Sequence, residues 1–431
     1  MSEVLIVGSG VGGATVAREL AVRGKKVTIL EKGHYHRLGT EGRAQGFYSG
    51  TQGFSGFLRS PREKALEGVE IARTFMVGGT SVVTFANGVR SLQTELSTLG
   101  LDLEEEFSEA ERELKITPVP DRILGERTRR LIAAATELGY DIKPMPKFID
   151  FSKCRSCGMC VLGCQYGAKW SSQRFIGEAQ RAGAKLLTDT TVDQVLQSNG
   201  EVKGIRIRGP SGSRDIEATK VVIAAGGLGT PVILQRSGIA NAGTNLFVDL
   251  YVDTYGLLDE GGMKDELGMA ALIDEFHKKN GFILSPVLDT TLDMFWYLPL
   301  SKKMRAFARK RTLGMMTKIT DDDAGRIDRD GTIHKPVTES DTKKLEEGDA
   351  ISREILTKAG ANPRTLYTTK VHSAHPGGTA GIGRVVNRDL ETEVRGLFVS
   401  DASVFPQAPG LPPVVTIIAL SKRLSKRLAE E

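Results

Sequence analysis

Outside one short stretch the chain has no cysteine: all four fall within residues 154–164 of a 431-residue sequence. That excludes a disulfide framework, which spreads its thiols across a small secreted fold, and reduced thiols suit the cytoplasm. Long apolar runs are also missing, and nothing approaches the roughly 20 apolar residues needed to span a bilayer. The N-terminal MSEVLIVGSGVGG has no basic stretch before its short apolar run, and glycines break that run at once, so it does not read as a signal peptide. There is no internal repeat. The net charge of +5 is too small to imply nucleic acid as a partner. What remains is an ordinary soluble composition, 40% apolar and 26% charged, long enough for two or three domains or for one large domain with an insertion. The 49 glycines are dispersed, which points to turns and phosphate loops rather than low complexity.

The first glycine cluster has a definite setting. Residues 3–8 read as a buried parallel strand, Gly8-Ser9-Gly10-Val11-Gly12-Gly13 gives G-x-G-x-x-G, and residues 14–23 have helical spacing. A second strand at 26–31 closes on Glu31. In such a unit Gly8 makes the tight turn, Gly10 lets backbone approach a pyrophosphate, and Gly13 lets helix pack on strand. The helix N-terminus faces the phosphates, and Glu31 can accept hydrogen bonds from ribose hydroxyls. The motif does not separate FAD from NAD.

The cysteines Cys154, Cys157, Cys160 and Cys164 have the spacing C-x2-C-x2-C-x3-C, which matches bacterial ferredoxins that hold an iron–sulfur cluster through thiolates. Four-cysteine zinc sites usually pair two C-x2-C knuckles across a longer gap, so this compact run favours a [4Fe–4S] cluster; structural zinc and an unmetallated loop are the alternatives. In a ferredoxin run the fourth cysteine serves another cluster, and with no distant cysteine here Cys164 is the only thiolate left to complete the set, unless a non-cysteine ligand or a partner chain does so.

Two further turns are rich in glycine. Residues 78–81 read Gly78-Gly79-Thr80-Ser81, a turn that packs closely against something flat or anionic. A strand ending near residue 223 runs into Ala224-Ala225-Gly226-Gly227-Leu228-Gly229-Thr230-Pro231 and a helix. The stretch VVIAAGGLGTPVILQRSGI resembles the second signature of the glucose–methanol–choline (GMC) oxidoreductases, and Gly78–Ser81 resembles the first. His375-Pro376-Gly377-Gly378-Thr379 and the segment from Gly396 to Ser403 are similar to that family's C-terminal blocks. The resemblance covers residues 3 to about 424, with a poor match in the middle, about 245–365. GC-xx-GAK, beginning at Gly163, also resembles a string in long-chain alcohol oxidases of the family.

The resemblance implies an α/β fold: a Rossmann-like FAD-binding domain, a separate α+β substrate domain and a small iron–sulfur segment. On this reading residues 1–95, 184–245 and 366–431 form the FAD domain, 96–183 a helical and cysteine-bearing insertion, and 246–365 the substrate domain. The resemblance further implies bound FAD along Gly78–Ser81, with Ala225, Gly226, Asp401 and Ala402 near the cofactor, and His375 as the base that faces the flavin. A neutral imidazole there takes a hydroxyl proton while hydride leaves for flavin N5. The family usually carries a second His or Asn before a Pro near the C-terminal helix. Here Leu411 or Pro412 holds that place, and neither side chain handles a proton. Either His375 works alone, or another residue supplies the partner, or the substrate is not a simple alcohol.

The combined expectation is an FAD-dependent dehydrogenase of CH–OH groups. Its substrate would be a small alcohol, polyol or isoprenoid, and its electrons would pass singly through the cluster to an acceptor such as ferredoxin. The alternatives are an electron-transfer subunit with no substrate of its own, or a reductase running in reverse. From Met294 to Thr320 there is no acidic residue, while Lys302, Lys303, Arg305, Arg309, Lys310, Arg311 and Lys318 follow an aromatic run. That stretch reads as a solvated helix with a basic face beside a core strand or, more sharply, as a lid or surface for an anionic or lipid substrate or a peripheral membrane contact through 294–320. Asp321–Asp323, Asp328 and Asp330 lack the full calcium-loop spacing and read as a solvated turn.

Overall fold

A computed structural model describes residues 4–36, 62–209, 212–291, 294, 295, 298 and 300–430. Residues 37–61, within the expected FAD domain, and Trp296 and Tyr297 of the aromatic run lie outside the described residues.

The nucleotide-binding half is a five-stranded parallel sheet in the order Leu397–Val399, Lys220–Ile223, β1 (Val4–Val7), β2 (Val27–Leu30), Lys185–Leu187. Every residue of β1 and β2 is buried, as a sheet covered on both faces requires. Helix α1 (Val11–Val22) follows β1 and packs against the C-terminal helix Val414–Glu430. Their contact includes the almost fully buried Lys422, whose ammonium meets Glu19, Glu109 and Glu113 within 3.3 Å. An antiparallel three-stranded sheet, Thr191–Ser198, Glu201–Gly209 and Gly212–Glu217, stands beside this unit.

The second half is a nine-stranded sheet centred on Leu250–Leu257 and Thr312–Ile319. It draws strands from well outside 246–365: Arg62–Lys64, Glu70–Ala72, Ile142–Pro144 and His372–Ser373 all join it. One face is covered by the helix Glu339–Lys358, which Thr338 and Asp341 open with a reciprocal capping box. Across the sheet Tyr251 lies opposite both His372 and Lys318, so three side chains of one row point to one face. That face looks toward the nucleotide-binding half.

The basic stretch is a helical segment followed by a core strand, and its last lysine does not lie on the helix. Its 3-10 segment Leu300–Arg311 ends before Lys318, which is buried in the strand Thr312–Ile319. Asp321 is not in a solvated turn either. Its carboxylate is fully buried, 2.7 Å from the fully buried Lys335 ammonium, and it accepts hydrogen bonds from the backbone N–H groups of Val248 and Asp249.

Candidate active site

One cavity of about 670 Å³ runs between the two halves. Its floor is the β1–α1 turn. Gly8 adopts φ +103°, and a Cβ there would sit 2.2 Å from the Ala224 carbonyl oxygen, so the turn closes only with glycine. Over it lies the Gly78–Ser81 turn, and a Cβ on Gly79 would come 3.1 Å from the Gly10 Cα. That turn is stitched down: Ser9 Oγ accepts from the Gly78 N–H, while Ser81 Oγ donates to the Gly78 carbonyl and lies 2.7 Å from Ser172 Oγ.

Gly8, Gly10, Glu31, Gly79, Thr80, Ser81, Ala225, Gly226, Asp401 and Ala402 all line the cavity, whereas Gly13 and Gly78 support its wall from behind. A Cβ on Gly13 would strike the Gly8 carbonyl oxygen at 2.1 Å, which is the helix-to-strand contact expected of it. The Glu31 carboxylate accepts from Ser9 N, Ser9 Oγ and Gly33 N, and burial raises its pKa against those hydrogen bonds. Asp401 accepts from Gly226 N and Thr230 Oγ1 on one oxygen and from Ser403 N and Oγ on the other. It therefore fixes the start of the helix Gly226–Arg236 against the cavity. A glycine-lined trough with two helix N-termini and an acid at the end of β2 fits a dinucleotide.

His375 lines the far part of the cavity and keeps 23% of its side chain exposed. Its Nδ1 lies 2.9 Å from Oδ2 of Asp249, and Lys318 Nζ donates to that same oxygen at 3.1 Å while lying 3.2 Å from Nδ1. Asp249 is fully buried, and its other oxygen accepts from the Gly410 N–H. Burial alone would raise the Asp249 carboxyl, but Lys318 and His375 beside it hold it below the usual carboxylate range. Burial and the Lys318 charge hold His375 below the usual imidazole value, with Asp249 opposing them. The imidazole is therefore held toward its neutral form. With the Asp249 carboxylate accepting the Nδ1–H hydrogen bond, Nε2 keeps its lone pair.

The roles of Asp249, Lys318, Asp321 and Lys335 escape the sequence reading, which counted Lys318 only as one member of a basic stretch. One signal was available: Lys318 is the only charge in TLGMMTKI, a strand otherwise fit for a core. Pro412 does line the cavity where the family's second proton-handling residue was expected, but Lys318 is the group that reaches His375. His372 is buried and packs its ring 5.8 Å from that of Tyr251. Around these groups Tyr251, Met269 and Met316 form an apolar wall that continues into Met145, Leu272 and Ile283.

The cysteine loop adjoins the cavity through Val161, which follows Cys160 and lines it. Cys160 is buried, and the other three thiols are partly exposed. Ser156 and Gly158 take left-handed conformations, and the Ser156 N–H points to Cys154 Sγ at 3.5 Å. Burial raises the Cys160 thiol to about 11, against the pull of Lys169 and Lys147. Among the described residues no three His, Cys, Asp or Glu side chains stand in a metal-holding arrangement, so the sulfurs are close in sequence without forming a closed cage. Four thiols match the number and softness of donors that an iron–sulfur centre uses, but the described residues do not arrange them as its site. Beneath the loop, Lys147 and Lys169 are buried against carbonyl and amide oxygens, and burial lowers Lys147 to about 7 and Lys169 to about 8.

Among the described residues no helix is long and apolar enough to cross a membrane.

Comparison with known proteins agrees with this geometry. The model of the GMC oxidoreductase N-terminal domain matches residues 2–251, and that of the C-terminal domain matches 302–421. An uncharacterised protein of Methanocaldococcus jannaschii is 31% identical over 99% of this chain and all of its own length. A long-chain-alcohol oxidase of Arabidopsis thaliana is 25% identical, with 99% of this chain aligned to 68% of that protein. The crystal structure of pyridoxine 4-oxidase from Mesorbium loti covers both chains completely with a TM-score of 0.75 at 16% identity, a likeness of fold. With both domain models matched along most of its length, the chain belongs to the GMC oxidoreductase family.

Proposed function

We propose that the protein binds FAD in the cavity and oxidises the CH–OH group of a small, largely apolar alcohol. The observation that carries this reading is the buried set His375, Asp249 and Lys318 opening onto the same cavity as the dinucleotide trough. Bound FAD supplies the hydride acceptor. His375 Nε2 takes the hydroxyl proton, Asp249 holds the ring in the tautomer that allows it, and Lys318 offsets the Asp249 charge. The wall of Tyr251, Met269 and Met316 favours an apolar alcohol or isoprenoid over a polyol, since thioether side chains adapt to apolar shapes and offer little to hydroxyls. A cavity beside His375 counts against an electron-transfer subunit without its own substrate. The same residues serve the reverse reaction, returning a proton to a carbonyl.

Cys154, Cys157, Cys160 and Cys164 would hold a [4Fe–4S] cluster, which would take electrons one at a time and give the enzyme an outlet to an acceptor such as ferredoxin in place of dioxygen. The Cys160–Val161 step to the cavity wall supports this assignment. Anaerobic screening of apolar alcohols, isoprenoids and polyols for flavin bleaching, with EPR of the reduced protein, tests both parts. Bleaching by apolar alcohols and about four irons per chain are expected. A flavin that no alcohol bleaches overturns the dehydrogenase, and stoichiometric zinc without iron overturns the cluster.

A peripheral lipid contact is favoured by a separate observation. On Leu300–Arg311 the side chains of Leu300, Met304 and Phe307 are 87%, 77% and 64% exposed, flanked by lysines and arginines. Vesicles containing anionic lipid should sediment the protein at moderate salt, and replacing the three apolar residues by Ser should abolish it. Equal sedimentation of wild type and variant would remove the contact.

A further inference from the structure

The dipeptide Val248-Asp249 holds His375 at both ends. The Val248 carbonyl accepts from the His375 N–H at 3.1 Å and from the Ala374 N–H at 3.2 Å, while the Asp249 carboxylate meets the ring at Nδ1. Asp249 does this with φ 49°, a left-handed backbone that is uncommon outside glycine. Asp321 fixes that backbone. Its carboxylate accepts from the Asp249 N–H at 2.6 Å and from the Val248 N–H at 3.0 Å, so it satisfies both main-chain donors of the dipeptide. Asp321 is anchored in turn: Lys335 Nζ lies 2.7 Å from its Oδ2 and donates to the Asp322 carbonyl at 2.5 Å, and both side chains of the pair are fully buried.

Asp321 follows the strand Thr312–Ile319, which carries Lys318. One strand end thus supplies both the ammonium that faces the Asp249 side chain and the carboxylate that fixes the Asp249 backbone. Two buried ion pairs serve the base: Lys318–Asp249 touches the ring, and Lys335–Asp321 holds what touches it. Burying a pair of charges seldom adds stability over an apolar replacement, because both charges lose their water, so the second pair calls for a reason other than stability. Burial raises the Asp321 carboxyl to about 6 against the pull of Lys335, and at neutral pH it stays a carboxylate that accepts both N–H groups. Neither Asp321 nor Lys335 lines the cavity, so the pair acts only through the residues it holds.

We propose that Asp321, held by Lys335, is a positioning residue for the proton transfer: it fixes the Val248-Asp249 backbone so that the Val248 carbonyl and the Asp249 carboxylate present His375 to the cavity in one orientation. The inference rests on the reading of His375 as the base. Without the Asp321 carboxylate the dipeptide loses the acceptor of both its N–H groups, and the main-chain and side-chain holds on His375 shift together.

The experiment uses the full FAD-loaded chain and the alcohol that bleaches its flavin in the screen above. Asp321→Asn combined with Lys335→Met removes the carboxylate without stranding the ammonium. Single-turnover reduction is measured in this pair variant, in His375→Ala and in the triple variant, with FAD per chain and the half-saturating alcohol concentration. In the pair variant FAD and half-saturation are expected to match wild type, while reduction slows roughly 10–100-fold, as for a misplaced reacting group. In the His375→Ala chain the same two substitutions should slow reduction no further, because the base they position is gone. Equal slowing in both backgrounds, loss of FAD from a folded chain, or reduction of the pair variant at the wild-type rate overturns the proposal. If the pair variant does not fold, Asp321→Asn alone, whose amide oxygen can accept from one of the two N–H groups, decides by the same comparison. His375→Ala reduced at the wild-type rate overturns the base reading and this inference with it, whereas a slow His375→Ala beside an unaffected pair variant overturns this inference alone.

Discussion

Replacing His375 with alanine should slow reduction of the bound flavin by alcohol about 10²–10⁴-fold, the usual contribution of a positioned general base. FAD content should not change, because the dinucleotide trough is built from Gly8, Gly10, the Gly78–Ser81 turn and the helix that Asp401 anchors, none of which uses the His375 side chain. The pH profile gives a second readout. Burial and Lys318 lower the His375 pKa from 6.5, so the imidazole stays a competent base across neutral pH. The rate should therefore be flat near pH 7 and fall only as the pH drops below 6.5, where the ring takes up a proton. Rapid-mixing anaerobic reduction of wild type and variant measures both. Reduction of the variant at the wild-type rate would remove His375 from the chemistry, and an acid limb above pH 7 would contradict its environment.

Asp249→Asn should produce the largest loss of stability at the site. Asp249 has φ 49°, a left-handed conformation that asparagine tolerates, so backbone strain does not confuse the result. The substitution leaves Lys318, 3% exposed, beside an uncharged amide in the core. Removing one partner of a buried pair costs about 3–5 kcal/mol, because the remaining charge is uncompensated. The amide also no longer dictates which nitrogen of His375 carries the proton, so the rate should fall as well. The double substitution Asp249→Asn with Lys318→Met separates the effects: it removes the stranded charge and should recover most of the stability without the rate. Denaturant unfolding monitored by flavin fluorescence, with single-turnover reduction, tests the cycle. A single variant as stable as wild type would mean that the pair does not carry charge in the folded protein.

The contrast between these residues and the dinucleotide trough explains what could be read from the sequence. The trough is local. Gly8 must be glycine because a side chain would strike Ala224, and the strand, turn and helix that need it are contiguous, so the motif appears in the chain as a string. The Ala224–Pro231 turn and His375 are legible for the same reason, each within a short block of family character. Asp249 and Lys318 are not. They meet because Leu250–Leu257 pairs with Thr312–Ile319 in a register that sets Tyr251 opposite Lys318, and because His372–Ser373 joins the other edge of the same strand. That register is set by pairings across long stretches of chain and leaves no local pattern. Lys318 sits a few residues beyond a run of basic side chains, so its burial was masked by the charge of its neighbours in sequence. Asp321 was masked in the same way by Asp322 and Asp323.

The strand order of the nucleotide-binding sheet also bears on how the protein comes to exist. β1 lies between Lys220–Ile223 and β2, and the far edge is Leu397–Val399, so the first strand waits for one neighbour until about half the chain has been made and for the sheet's outer edge until nearly all of it has. Contacts between α1 and the helix Val414–Glu430 come later still. Contacts so distant in sequence slow folding, and they leave the apolar faces of β1 and α1 uncovered on the ribosome for most of synthesis. The cofactor trough is thus completed only after residues 397–399 have been made, which makes a shorter nascent or truncated chain prone to aggregation.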